Sequence, residues 1–299
     1  MTDTKQTIRL GHSPDPDDAF MWWPLFEIDG RPPCLPSDRF RFVPVVEDIQ
    51  KLNERACEAS EDDALEITAF SCACYPRVVD RYRITACGAS LGDGYGPRLV
   101  AREPMSIDDL RDSGKVIAVP GAQTTALMAT SLMLGRDRFE WSAMPFDGIA
   151  EAVLDGRFDA GVVIHEGQLT FEEDGLVLVR DLGAWWSDET GLPLPLGANA
   201  IRSDLDQRFG PGASLEIVDL LERSVRHAMD HRDEAIAHAL KWARGLEADR
   251  AGQFVDLYVN RWTLDYGETG RRAVLELLAR AADSGLVPAV EIPDFIGSG

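Results

Sequence analysis

The sequence predicts an α/β protein of two lobes with a cleft between them, and three observations carry that prediction. Short runs rich in valine, isoleucine and phenylalanine alternate with amphipathic stretches of helical period, as βαβ units require. The strand-like runs are too many for one compact sheet with a helical tail. Two segments, "GDGYGPRLVAR" and "LPLPLGANAIR", read as chain crossings between lobes. The expected division is a discontinuous α/β domain from residues 1–96 and 202–299, ending in helices, with a second α/β domain, residues 97–201, inserted into it.

Each element follows from its residues. "IRLGHS" (8–13) reads as a strand, and "DDAFMWWPLFEI" (17–28) as a helix whose first-turn aspartates suit the helix dipole. "FRFVPVVED" (40–48) is a strand, "IQKLNERACEA" (49–59) an amphipathic helix, and "ALEITAFS" (64–71) a strand ending in Ser71. "RYRITACGASL" and "GPRLVAR" carry strand signals on either side of the glycine-rich turn "GDGYG". "KVIAVPG" (115–121) is a buried strand, and "TTALMATSLML" (124–134) a helix opening on threonines. "FEWSAMPF" is a strand, "DGIAEAVLDGR" (147–157) a helix, and "FDAGVVIHE" (158–166) another buried strand. "GLVLVRDLGAWW" (175–186) is a strand leading into a turn, and from about residue 212 the pattern is helical almost to the end. The sheet is expected to be mostly parallel.

Composition narrows the function. The chain has 299 residues and a formal net charge of −21, which argues against nucleic-acid binding, a task that needs a basic stripe. The acids are scattered and read as solvated faces. There is no apolar run long enough to span a bilayer and no signal-peptide core at the start, so the expected location is the cytoplasm. The five cysteines (34, 57, 72, 74 and 87) match no zinc spacing and read as small buried residues. No metal site is expected. "GDGYG" is not a dinucleotide fingerprint, and there is no Walker A, GxSxG or HExxH motif. The expectation is a small-molecule substrate and no cofactor.

Four strands end in polar residues where a helix or turn begins: Ser13, Ser71, the pair Thr124 and Thr125, and His165. In open α/β sheets, ligands bind beyond the carboxyl ends of strands, and helix N-termini there offer unpaired N–H groups. These four places can converge on one inter-lobe cleft. Capping alone accounts for Ser71 or either threonine taken singly. The adjacent Asp17 and Asp18 in "SPDPDDAF" are more than a cap requires; they would repel an anion and favour a hydroxyl or a cation. His165 stands out because it ends a strongly apolar run. It reads as a satisfied core histidine or as a general base. Glu166, next in sequence, would point to the opposite face of a strand. Trp185 and Trp186 precede a proline-rich segment and can wall an aromatic pocket or pack an inter-lobe corner.

Six segments together, "LGHSPDPDDAF", "GYGPRLVA", "IAVPGAQTTA", "AGVVIHEGQLT", "DLGAWWSDETGLPLPLGA" and "YVNRWTLDYGETGRRAV", resemble the 1,4-dihydroxy-6-naphthoate synthases of the futalosine route to menaquinone. The resemblance runs from about residue 8 to 287. It implies a type 2 periplasmic-binding-protein-like fold, with two α/β domains and an inter-domain cleft. It also implies a cytoplasmic, cofactor-independent lyase that converts cyclic dehypoxanthinyl futalosine to 1,4-dihydroxy-6-naphthoate. The family's base maps to His165, and its pocket residues to Ser71, Thr125 and Ala126. Thr124, Ser13, Asp18 and Trp185 complete the expected substrate-binding set. Family members usually read Cys-Pro-Asn-Asp-Thr where this chain has Asp15-Pro16-Asp17-Asp18-Ala19, and often carry a lysine where it has Ala69. Two further readings are compatible with the fold: chorismate dehydration, performed by a sister family, and solute binding without chemistry.

Overall fold

The computed structural model describes residues 5–111, 113–241, 248–291 and 293–297. Among these, twelve strands form two sheets. The chain first lays down β1 (Gln6–His12), β2 (Phe40–Val46), β3 (Ile67–Ser71), β4 (Tyr82–Thr85) and β5 (Ser90–Gly92). It then crosses over and builds β6 (Arg98–Ala101), β7 (Val116–Val119), β8 (Glu140–Ala143), β9 (Ala160–Val163) and β10 (Val177–Asp181). It returns with β11 (Leu194–Arg202), and β12 (Phe295–Ile296) comes after the C-terminal helices. The larger sheet has the order β12-β4-β11-β3-β1-β2, with β5 also on β11; the smaller has the order β10-β6-β9-β7-β8.

Neither sheet is mostly parallel, which corrects the expectation. β1 pairs in parallel with β2 and β3, and β7 with β8 and β9. By contrast, β6 runs antiparallel to β9 and β10, and β11 runs antiparallel to β3, β4 and β5. These two strands follow the chain crossings directly. A chain entering a lobe from its neighbour points away from that neighbour, opposite to strands whose carboxyl ends face the cleft. The second crossing also ends earlier than expected, since the chain has joined the larger sheet by Leu194 rather than at 202.

Burial explains which stretches form strands. β3 and β9 are buried at every position, so their unbroken apolar runs are covered on both faces. Edge strand β8 is exposed throughout. The helix expected over 17–28 is shorter, Pro16–Trp22 followed by a 3-10 turn Trp23–Leu25, because Pro24 has no N–H to continue it. Its aromatic side chains join one core with Ile217, Leu221 and Val225 of the long helix Ala213–Asp230.

The crossings are held by close backbone packing. The segment after β10 is a helix, Leu182–Thr190, rather than a turn. Asp181 caps it, accepting from the N–H groups of Gly183 (2.9 Å) and Ala184 (3.0 Å), and Leu182 N–H donates to Pro97 O at 2.9 Å. A Cβ on Gly183 would lie only 1.9 Å from the Tyr95 carbonyl oxygen of the other crossing. We therefore expect Gly183→Ala to cost about 1–3 kcal/mol in denaturant unfolding, as overpacking does; an unchanged midpoint would show that the two crossings are free to separate.

Candidate active site

Four strand ends meet between the lobes, as the positions of the polar residues predict. The cleft spans about 720 Å³ of empty space, open solvent at its mouth included, and its lining includes Ser13, Ser71, Thr124, Thr125, Ala126 and His165. Ser13 follows β1 and Ser71 closes β3 on the larger lobe. Thr124 caps the helix Thr125–Leu134 after β7, and His165 follows β9, on the smaller lobe.

His165 is not on a strand. β9 ends at Val163, and His165 has φ 52°, in the left-handed region. That conformation costs a non-glycine residue on the order of 1 kcal/mol or more and must be held by its surroundings. Gln168 does this. Oriented with its amide oxygen toward His165 N–H (3.1 Å) and the Tyr258 hydroxyl (2.9 Å), it donates to the Gly96 carbonyl at 2.6 Å. Glu166 therefore does not face away from His165 across a strand as expected; it is the N-cap of the short helix Gly167–Thr170.

The imidazole of His165 is gripped from both lobes. Its Nδ1 lies 3.3 Å from Asp15 Oδ2, which belongs to the larger lobe, and both side chains are largely buried (17% and 5% exposed). The ring meets Phe146 of its own lobe edge-on, with centroids 4.6 Å apart, and Phe254 of the other lobe at 6.2 Å. Its Nε2 is buried and has no hydrogen-bond partner among the described residues. A carboxylate opposite Nδ1 favours the tautomer protonated there, leaving the lone pair on Nε2. Asp15 occupies the N-cap position of helix Pro16–Trp22, yet its side chain makes no capping bond and turns to His165 instead.

The other polar residues divide by what already engages them. Asn53, fully buried, clamps Ser71: its Oδ1 accepts from Ser71 N–H at 2.8 Å, and its Nδ2 donates to Ser71 Oγ at 3.0 Å. Ser71 Oγ thus accepts from the protein and keeps its proton to donate into the cleft. The Thr125 hydroxyl is engaged by the fold, donating to Leu196 O (2.7 Å) and accepting from Ala73 N–H (3.2 Å) across the lobes. Thr124 Oγ1 donates to Gly121 O and caps Leu127 N–H. What Thr125 and Ala126 offer a ligand is their backbone N–H groups, which at the first helical positions reach no intrahelical carbonyl. Asp18 Oδ2 accepts from both the N–H and the hydroxyl of Ser13, each at 2.8 Å.

Two more lining residues stand out, and of these the sequence had singled out Asp17 but not Asn199. Asn199 of β11 is buried; its Nδ2 donates to Gly88 O at 2.8 Å, while its Oδ1 has no partner among the described residues. Asp17, half-buried in the cleft lining near Asp15 and Asp18, has its carboxyl pushed above the ordinary carboxylate range, first by burial and then by those two neighbours. Trp185 is a correction. It is half-buried against Trp186 at 6.1 Å and lies outside the cleft lining. The helix that begins at Leu182 sends both rings toward the core, and Trp186, fully buried, donates from Nε1 to Pro193 O at 3.1 Å. No group of three or more acids, histidines and cysteines suited to a metal occurs among the described residues.

A family model described as menaquinone biosynthesis matches residues 8–283. The chain belongs to the menaquinone-biosynthesis family. It is 38% identical over 292 residues to a Thermus thermophilus protein named 1,4-dihydroxy-6-naphthoate synthase, covering 97% of this chain and all of that one. A solved protein of Archaeoglobus fulgidus, 40% identical, superposes with a TM-score of 0.81 over 94% of this chain and 98% of its own. The alkanesulfonate-binding protein of Xanthomonas axonopodis is 12% identical but superposes with a TM-score of 0.66 over 96% of each chain, which shows the fold alone. This menaquinone-biosynthesis protein has the periplasmic-binding-protein-like fold, as the resemblance implied. No helix among its described residues is long and apolar enough to cross a membrane.

Backbone strain at His165 gives a stability test. At an ordinary helical or strand position glycine is less stable than alanine by roughly 0.5–1 kcal/mol. At φ 52° the alanine Cβ is penalised, so His165→Gly should be at least as stable as His165→Ala in thermal or urea unfolding. The ordinary order, with glycine the weaker, would contradict the left-handed backbone.

Proposed function

We propose that the protein is a 1,4-dihydroxy-6-naphthoate synthase, a lyase that converts cyclic dehypoxanthinyl futalosine to the naphthoate and a small sugar-derived fragment. The observation that carries this reading is the Asp15–His165 pair: an imidazole held at the cleft by a carboxylate of the opposite lobe, with one nitrogen unpartnered. Membership of the menaquinone-biosynthesis family and the name of the Thermus relative support it.

In this reading the substrate lies between the lobes. His165 removes a proton next to a carbonyl-like centre, the carbon–carbon or carbon–oxygen bond beyond it breaks, and aromatisation drives the step forward. Asp15 fixes the tautomer and orientation of the ring and stabilises the imidazolium that forms. The Ser71 O–H and the N–H groups of Thr125 and Ala126 hold the substrate's polar arm and stabilise developing negative charge. Phe254, whose ring centroid lies 6.2 Å from that of His165 on the other lobe, adds apolar cover beside the base.

Asp17 makes chemical sense as a neutral acid. Burial and its two acidic neighbours keep its proton on, so it can donate a hydrogen bond from the position where family members usually carry an asparagine amide. Neutral Asp17 also limits repulsion in a cleft that has gained acids and lacks the relatives' lysine.

The direct test adds cyclic dehypoxanthinyl futalosine to purified protein and measures naphthoate. Turnover is expected, and His165→Ala should reduce kcat on the order of 10²–10⁴-fold, the range general-base catalysis supplies. Asp15→Asn should cost about tenfold or more and alter the pH profile. Full turnover in His165→Ala would remove the proposed base.

Asp17 also sets a pH dependence. Its folded-state value is raised, so the native protein keeps a proton that the unfolded chain releases in the ordinary carboxylate range. Activity and stability should therefore both decline as pH rises through the raised value. Asp17→Asn, neutral at every pH, should remove that decline while retaining turnover. An alkaline limb identical in wild type and Asp17→Asn would assign the titration elsewhere.

A further inference from the structure

Behind the Ser71 wall of the cleft lies a pair of thiols that the reaction does not use. Cys57 is in the last turn of helix Ile49–Glu58, and Cys74 is in the 3-10 turn Cys72–Arg77 that follows Ser71. Their sulfurs are 2.9 Å apart, and both cysteines are free. Cys57 is half-buried and reachable from solvent, whereas Cys74 is fully buried. The sequence conceals this pair, because the neighbours in the chain are Cys72 and Cys74, and Cys72 turns into the core.

We propose that Cys57 and Cys74 are a redox-active dithiol that closes to a disulfide under peroxide and thereby clamps the Ser71 side of the cleft. The surroundings favour Cys57 as the attacking sulfur. Its thiol is held below the ordinary range, chiefly because Cys74 hydrogen-bonds to it, with Arg77 and Arg81 adding to the effect against the opposing cost of burial. The Cys74 thiol is pushed up, first by the same hydrogen bond and then by burial, so it stays protonated until it is needed.

The chemistry balances. The Cys57 thiolate attacks a peroxide oxygen; an S–O bond forms, the O–O bond breaks, and hydroxide leaves and is protonated to water. Cys74 sulfur then attacks Cys57 sulfur; the S–S bond forms, the S–O bond breaks, and the second oxygen leaves as water with the Cys74 proton. Two thiols are oxidised and one hydrogen peroxide is reduced to two waters. A dithiol reductant reverses the change.

The structural consequence follows from Asn53, one helical turn before Cys57. Asn53 holds Ser71 by both its N–H and its hydroxyl, and the Asn53 carbonyl lies 3.7 Å from Cys74 Sγ. Closing the disulfide joins the end of the Asn53 helix to the turn that leaves Ser71, so that both ends of this clamp become covalently fixed. This inference stands on the thiol geometry and does not depend on the identity of the substrate.

The test uses the full-length reduced protein, freed of reductant and exposed to hydrogen peroxide. Remaining thiols are alkylated, and the digest is read by mass spectrometry. The expected result is a Cys57–Cys74 linked peptide, reversed by dithiothreitol and absent from both Cys57→Ser and Cys74→Ser. The melting temperature of the wild type should rise by several degrees on oxidation and return on reduction, with no such rise in Cys57→Ser. Recovery of both cysteines fully alkylated after peroxide, or a linked peptide without any shift in melting temperature, would overturn the proposal.

Discussion

The contact between Asp15 and His165 is the constraint on which the rest of the architecture turns. The two residues come from different lobes and from the ends of two different strands. Bringing them to 3.3 Å requires the lobes to face each other with both sets of carboxyl strand ends inward. The cost is visible at both partners: His165 takes a left-handed backbone, and Asp15 gives up the capping bond its position would allow. Other contacts across the cleft carry that cost. Thr125 bonds Ala73 and Leu196, Gln123 N–H reaches Gln50, and Gln168 ties Tyr258 and Gly96 to the backbone of His165. Each is a satisfied hydrogen bond at a buried or half-buried place, where an unmade one would be expensive.

The cleft combines two kinds of polar surface. On one side stand the Ser71 hydroxyl, whose oxygen already accepts from Asn53, and the backbone N–H groups of Thr125 and Ala126 at the start of their helix. On the other, Asp15, Asp17, Asp18 and the unpartnered Asn199 oxygen form an acceptor-rich wall. Asp18 accepts two bonds from Ser13, Asp15 faces an imidazole, and Asp17 has its carboxyl pushed above the ordinary carboxylate range by burial and its acidic neighbours. The three acids therefore sit in three different environments.

Much of this was legible in the chain. Unbroken apolar runs ending in Ser71, Thr124 and His165 marked β3, β7 and β9 and the cleft at their ends, because strand burial on both faces leaves polar residues only at the tips. The residues that the sequence did not point to are those whose roles depend on tertiary neighbours. Asp15 looked like a turn residue, Asn53 like one polar residue of an amphipathic helix, and Asn199 like part of a chain crossing; nothing local signals that Asn53 meets Ser71 or that Asp15 and Asn199 have partners more than 100 residues away. His165 was correctly placed at the cleft but wrongly placed on a strand, since a left-handed histidine has no sequence signature as strong as glycine's. The tryptophan pair misled because a buried core and an aromatic pocket ask for the same residue type.

In the proposed reaction two lobes hold the substrate so that the imidazole at position 165, oriented by Asp15, reaches its acidic C–H bond. A crystal structure of the His165→Ala protein soaked with cyclic dehypoxanthinyl futalosine, which the missing base should leave intact, tests this. The substrate is expected between the lobes, its polar arm on Ser71 and the Thr125–Ala126 N–H groups, and its reacting carbon facing the space left by the imidazole beside Asp15. Substrate bound on one lobe alone, or with its reacting carbon turned away from position 165, would contradict it.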